Sequence, residues 1–267
     1  MARNRAPGRE RLDRLLVARG LAETREQAAR LILAGAVRVG GDRVDKQAAL
    51  VAVDAGIEVA PRALPFVSRS GGKLSAALEA FEIRPEGRIA MDVGASTGGF
   101  TDCLLQRGAR RVYAVDVGHG QLDWRLRKDP RVIVLERRNI RYLEPAAVPD
   151  PIQLAVVDVS FISLELVLPQ LVRFLDRKAE LVALVKPQFE VGRGQVGRGG
   201  IVRDDEQRRT VTDKILAFGE RMGLRRRGVL DSPVRGQKGN REILVGFDWI
   251  RDDARTSPEG ERRAPQV

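Results

Sequence analysis

The stretch Met91-Asp92-Val93-Gly94-Ala95-Ser96-Thr97-Gly98-Gly99-Phe100 follows an apolar run, Arg88-Ile89-Ala90, and leads into Thr101-Asp102-Cys103-Leu104-Leu105, which has helical spacing. A glycine-rich turn between a strand and a helix brings the main chain against a ligand, because glycine accepts positive φ and carries no Cβ. Two ligand classes fit the spacing poorly. A dinucleotide fingerprint, Gly-x-Gly-x-x-Gly counted from Gly94, needs glycine where Ser96 stands. A Walker A loop needs Gly-Lys-Ser/Thr after the turn, where Phe100 stands.

Strand and helix patterns alternate on both sides of this turn. Residues 70–81 read as a helix, 88–94 as a strand and 100–108 as a helix. Strand patterns follow at 110–117, 131–140, 153–161 and 179–187, with helices at 119–129 and 164–176. A helix over 205–223 and a strand over 240–250 complete the series. Such alternation predicts an α/β fold with a largely parallel sheet covered on both faces. Residues 68–250 are therefore read as one domain. Two prolines, Pro61 and Pro65, mark residues 62–67 as a linker, and the charged stretch 251–267 has no periodicity and is expected to be disordered.

The 267 residues carry 47 Lys and Arg against 36 Asp and Glu, a formal charge of +11. That excess points to a polyanionic partner. A single cysteine, Cys103, excludes an internal disulfide framework, and a single histidine, His119, argues against a histidine metal site. No metal is expected. No apolar run reaches the ~18 residues of a membrane span, and residues 1–16 lack the apolar region of a secretory signal, so the expected compartment is the cytoplasm.

Residues 8–61 form a unit too small for a catalytic core. One amphipathic helix ends at Gly20; Thr24 and Gln27 form a capping box for a second that closes at Gly35. A small hairpin turning at Gly40-Gly41-Asp42 follows, then a strand at 56–59. The pattern Leu12 to Val44 resembles an S4 domain, a small RNA-binding module. Arg11, Arg14, Arg25, Arg30, Arg38 and Arg43 punctuate it, and arginine makes bidentate contacts to phosphate. The resemblance implies RNA binding through these residues.

Acid-x-Gly-x-x-x-Gly-Gly at a strand end resembles the first motif of Rossmann-like methyltransferases, whose ligand is S-adenosylmethionine. The resemblance implies that Asp92 favours the cationic methionine portion. Gly94, Ser96, Thr97, Gly98, Gly99 and Phe100 then form the cofactor turn. Asp116, closing the next strand, takes the ribose hydroxyls, and Asn139, after the third, stands where the adenine amino group is met. Cys103 reads as a core filler and His119 as a loop residue.

Four charged residues lie where a doubly wound sheet gathers its ligands: Lys73, Asp158, Lys186 and Glu242. They resemble the Lys-Asp-Lys-Glu tetrad of FtsJ/RrmJ-like ribose 2′-O-methyltransferases, and Val185-Lys186-Pro187-Gln188-Phe189-Glu190 is a specific piece of that pattern. With the S4-like unit, the order from about residue 10 to residue 250 is similar to the TlyA-type rRNA methyltransferases, also called hemolysins. That resemblance implies a seven-stranded methyltransferase sheet and 2′-O-methylation of cytidine in ribosomal RNA, with ribosomal subunits as substrates. Lys186 would be the base, Lys73 a source of positive potential, Asp158 a neighbour of both sulfonium and Lys186, and Glu242 a brace for the lysines and the 2′-hydroxyl. A lysine acts as base only where desolvation or a neighbouring cation weakens its hold on a proton.

Further RNA contacts are expected from the glycine-rich segment 187–204, through Arg193 and Arg198, and from two basic stretches, 224–227 and 235–238. Phe161 is read as a wedge beside a flipped base, with core packing as the alternative. The linker lacks the tryptophan such proteins carry, leaving Phe66 as the residue for any coupling there. Two other functions compete with this reading: a membrane-active hemolysin, and a non-catalytic rRNA-binding assembly factor.

Overall fold

In the computed structural model the described residues are 8–22, 24–33, 35–59, 66–192, 200–236 and 239–251. Arg193, Arg198, most of the linker, Gln237, Lys238 and nearly all of the C-terminal tail lie outside them, as does the side chain of Arg30.

The N-terminal unit comprises β1 (Arg9–Arg11), α1 (Leu12–Ala18), α2 (Arg25–Leu33), β2 (Val37–Val39), β3 (Asp42–Arg43), β4 (Leu50–Ala52) and β5 (Ile57–Val59). Leu12, Leu15, Leu16, Ala28, Ile32 and Val37 close into its own core. The backbone N–H of Gln27 donates to Thr24 Oγ1 at 3.1 Å, so the expected N-terminal cap of α2 is formed. β2 pairs antiparallel with β3 and with β5.

The larger unit comprises α3 (Ser70–Ala80), β6 (Ile89–Val93), α4 (Gly99–Gln106), β7 (Arg111–Asp116), α5 (Trp124–Lys128), β8 (Val132–Glu136), β9 (Ile152–Val157), α6 (Leu164–Leu171), β10 (Leu175–Val185), the single turn α7 (Pro187–Glu190), α8 (Asp205–Arg221), β11 (Leu224–Asp231) and β12 (Ile243–Ile250). They build one seven-stranded sheet in the order β11-β12-β10-β9-β6-β7-β8. β12 runs antiparallel to both neighbours, and the other pairings are parallel. Alternate residues of β6 face opposite cores. Ile89, Met91 and Val93 join α6 and α8, while Ala90 joins Leu74 and Leu78 of α3 and Phe100, Cys103 and Leu104 of α4.

The strand pattern names six of the seven strands. The basic stretch 224–227 also opens β11, an edge strand that Arg225-Arg226-Arg227 hides and whose register slips between Arg226 and Gly228. Its start pairs with Trp249, the end of the sheet remote from Lys186 and Glu242. Arg227 is spent there on the Phe81 carbonyl, Asp248 and Glu180. The order of the strands reverses at β6, with β7 on one side and β9 on the other. A ligand crevice opens at such a switch point, beyond the carboxyl ends of the strands.

Candidate active site

A cavity of about 320 Å³ opens at that point, within the size range of small-molecule sites. Lys73, Asp158, Lys186 and Glu242 all line it, together with Gly94, Ala95, Ser96, Thr97 and Phe100. Four elements supply the charges: α3 carries Lys73, the ends of β9 and β10 release Asp158 and Lys186, and Glu242 precedes β12.

The four residues form two ion pairs. Lys186 Nζ lies 2.6 Å from Asp158 Oδ1 and donates to Ser160 Oγ at 2.8 Å. Lys73 Nζ donates to Glu242 Oε2 at 2.5 Å, with both groups buried. Glu242 thus braces Lys73 rather than both lysines. Gly236 makes this possible, since a Cβ there would collide with the Glu242 carboxylate.

The glycine turn is held by its neighbours. Gly94 has φ +88°, its N–H donates to the Val115 carbonyl at 2.8 Å, and a Cβ on it would strike the Asp158 carbonyl. Ser96, at φ +48°, donates its N–H to Asp116 Oδ2 at 2.8 Å, and Gly118 N–H donates to Asp116 Oδ1 at 2.6 Å. Asp116 therefore shapes the turn as well as closing β7. Gly98 and Gly99 stand apart from the cavity lining. The space beside Gly98 is filled by Leu122 and Leu126, and that beside Gly99 by Ser68 and Ser70, so these glycines let α4 pack against its neighbours. Asn139 accepts from Arg141 N–H at 3.0 Å and caps a turn after β8.

Asp92 is fully buried. Its Oδ2 accepts from Thr101 Oγ1 at 2.7 Å, while Oδ1 has no hydrogen-bond partner among the described residues. Burial above all, with smaller contributions from the Asp158 and Asp116 charges, pushes this carboxyl up to about 7. An unsatisfied acceptor below an acid-lined turn suits a ligand carrying positive charge. Cys103 sits in the core of α4 as expected, with burial raising its thiol to about 12. His119 is a half-exposed loop residue 3.9 Å from Glu136.

Phe161 is 90% exposed, so core packing is ruled out for it. It has φ +64°, and its ring lies 4.9 Å from that of Phe189, both at the cavity. In the N-terminal unit Arg11 and Arg25 converge on the buried Asp13, at 2.9 and 3.1 Å, and the Arg11 hydrogen bonds lead in lowering that carboxyl to about 2. These two arginines brace α1 and α2. Arg14 and Arg38 are exposed, and Arg38 donates to the Gly41 carbonyl at 2.8 Å.

Sequence reasoning missed Ser160, Thr101, Arg69, Gln188 and Phe189. Gln188 lines the cavity with a buried Oε1 that has no partner among the described residues. Small polar side chains in loops carry no periodic signal. Phe189, Gln188 and Thr101 stand inside stretches singled out above, but for other residues.

Comparison with known proteins agrees with this geometry. The FtsJ-like methyltransferase family matches residues 66–249, and the S4 domain matches residues 10–56. The chain is 50% identical over 244 residues to the 16S/23S rRNA (cytidine-2′-O)-methyltransferase TlyA of Mycobacterium tuberculosis, covering 91% of this chain and 90% of the relative. It is 42% identical to Hemolysin A of Brachyspira hyodysenteriae over 238 residues, covering 89% of this chain and 99% of the relative. A solved structure from Streptococcus thermophilus, whose protein bears the hemolysin name, superposes with a TM-score of 0.72 at 44% identity, over 92% of this chain and 90% of that one. A parallel sheet with one reversed strand, a glycine turn at its switch point and these matches agree: the chain belongs to the FtsJ-like methyltransferase family and carries an S4 domain ahead of the catalytic fold.

Proposed function

We infer that this methyltransferase modifies the 2′-hydroxyl of a cytidine ribose in ribosomal RNA, with S-adenosylmethionine as donor and Lys186 as base. One observation carries the reading: two lysine–carboxylate pairs face one cavity beside the glycine turn. The RNA substrate rests further on the S4 domain, the charge of +11 and the rRNA substrates named for the M. tuberculosis relative.

Gly94, Ser96, Thr97 and Phe100 would hold the cofactor along the cavity wall, with Asp116 at the adenosine side and Asp92 beneath the turn. Gly98 and Gly99 contribute by letting the start of α4 pack against its neighbours, and Asn139 by fixing the turn after β8. Bound there, S-adenosylmethionine supplies a methyl group on a positively charged sulfur. Asp158 offers that charge an acceptor and holds Lys186 at the same time.

The contacts of Lys186 orient its amine for the role of base. Once it has given up a proton, two N–H groups would go to Asp158 Oδ1 and Ser160 Oγ, which leaves the lone pair for the ribose 2′-hydroxyl proton. Nζ would take that proton as the ribose oxygen accepts the methyl group and the donor sulfur keeps the electron pair of the S–C bond it loses. Lys73, fixed by Glu242, places positive potential where the oxygen becomes negative. Phe161 and Phe189 offer aromatic faces for a base turned out of its stack. Arg14, Arg38 and Arg43, exposed on the S4 unit, would meet phosphates, and Arg30, Arg193 and Arg198 would extend that contact. Arg11 and Arg25 support it indirectly by bracing the helices.

The test is transfer of a labelled methyl group to unmethylated 30S and 50S subunits, followed by mapping. Label on a cytidine 2′-oxygen is expected. Label on a base, or tight subunit binding with no label, rejects the reading. Among the described residues no helix is long and apolar enough to cross a membrane.

A further inference from the structure

Two clefts outside the active site share residues and lead away from it. The first is lined by Arg203, Arg208, Arg235 and Arg241, with Asp205 the carboxylate among them. The second, between α8 and β11, is lined by Arg208, Arg209, Arg226 and Arg241, with Asp205, Asp213 and Asp231. Arg208, Arg241 and Asp205 belong to both clefts, and Arg235 belongs to the first and to the active-site cavity. The three spaces therefore lie side by side, a path marked by the arginines they share. Along its two outer sections stand six arginines and three aspartates, an excess of three positive charges.

The pairing is uneven. Arg208 is held by Asp205, and Arg241 lies 3.9 Å from the same carboxylate. Arg203, Arg209, Arg226 and Arg235 are exposed and have no carboxylate within ion-pair distance among the described residues. Burial first, then the nearby Arg241, weakens the hold of Arg208 on its proton, against the pull of Asp231 and Asp204. Positive charge is crowded here beyond what the protein's own acids neutralise. Four exposed guanidinium groups without carboxylate partners, spread over two adjoining clefts, suit successive phosphates better than a single small anion.

We propose that this arginine path, from Arg235 at the cavity mouth to Arg209 and Arg226, binds the phosphate backbone of the substrate RNA as it leads away from the modified nucleotide. It rests on the reading of the substrate as RNA. Its place in the catalytic domain makes it a second electrostatic contact, separate from the S4 arginines. The contact is to backbone rather than base edges, so it adds affinity and orientation without reading sequence.

The test uses the full chain with Arg209→Ala and Arg226→Ala combined, both exposed positions, and a parallel Arg209→Lys and Arg226→Lys variant. Binding is titrated against salt for unmethylated subunits and for protein-free rRNA, and KM and kcat are separated in methyl transfer. Thermal melting and cofactor titration report on the fold. Loss of two phosphate contacts makes the log–log salt slope shallower by roughly 1.5 for both RNA forms. KM rises with kcat little changed, and the lysine variant keeps most of the slope. An unchanged slope and KM in the alanine variant overturn the proposal. A change with subunits but not with protein-free rRNA also overturns it, since the path would then meet an acidic ribosomal protein. If the unaltered protein methylates no RNA, the substrate reading itself fails, which the same series distinguishes.

Discussion

Lys186 has three tetrahedral positions beyond its Cε carbon, and the structure fills two of them with Asp158 and Ser160. Replacing it with alanine is expected to abolish methyl transfer, by at least the ~100-fold that a general base contributes. Cofactor and RNA affinity should stay near those of the unaltered protein, and near-normal turnover in single-turnover assays would sink the assignment. Asp92 makes a different prediction, because its proton is held up to about 7 by burial. A carboxyl that binds its proton more tightly in the folded state stabilises the fold fully below its unfolded value. That contribution is lost as pH rises through about 7. The cofactor-free protein should therefore lose stability between about pH 4 and pH 7 from this group, and Asp92→Asn should flatten that part of a melting-temperature profile. Cationic ligand binding should run the other way, tightening as Asp92 ionises. Calorimetric titration of S-adenosylmethionine across that range checks it, and a pH-independent affinity would remove Asp92 from cofactor binding.

The elements show why some of this could be read from sequence and some could not. β6, β9 and the latter half of β10 are buried on both faces, and strands of that kind read as continuous apolar runs. The acids and lysine at their ends were legible because a polar residue interrupts each run at the crevice. β11 was illegible, since an edge strand exposes one face and three arginines mask the alternation on the other. Gly98 and Gly99 mislead for a related reason: the sequence shows glycine, but only tertiary packing reveals that Leu122, Leu126, Ser68 and Ser70 occupy the space. Ser160 and Arg69 reach the cavity from loops, whose course depends on the finished sheet. Gly94 has a role that its sequence context hides, because it also admits the Asp158 carbonyl. Gly94→Ala combines positive φ with that collision, so it should move β9's end away from β6 and displace Asp158 from Lys186. Expected are a loss of stability of about 1–3 kcal/mol by denaturant titration and a larger relative loss of kcat. Full activity in Gly94→Ala would mean that Asp158 tolerates the shift and does not position Lys186.

Across the whole molecule, charge and chemistry are divided between two units with separate cores. The S4 unit holds its helices together with an internal clamp, Arg11 and Arg25 on Asp13, and keeps Arg14 and Arg38 at the surface. Substitutions there should consequently separate into two kinds. Arg11→Ala leaves a buried carboxylate with half its support, so the S4 unit should melt earlier and RNA affinity should fall because the unit loosens. The clamp is present above about pH 4 and is lost as pH falls toward 2, the lowered value of Asp13, so the difference from the unaltered protein should vanish in acid. Arg14→Ala combined with Arg38→Ala removes exposed charge and should leave melting unchanged. Its salt slope for RNA should be shallower by roughly 1.5 if both side chains meet phosphates. Cofactor affinity should be unaffected by the Arg14 and Arg38 substitutions, since neither side chain lines the methyltransferase cavity. A fall in RNA affinity for Arg11→Ala without earlier melting would show instead that Arg11 itself contacts RNA, and that Arg25 suffices to hold Asp13.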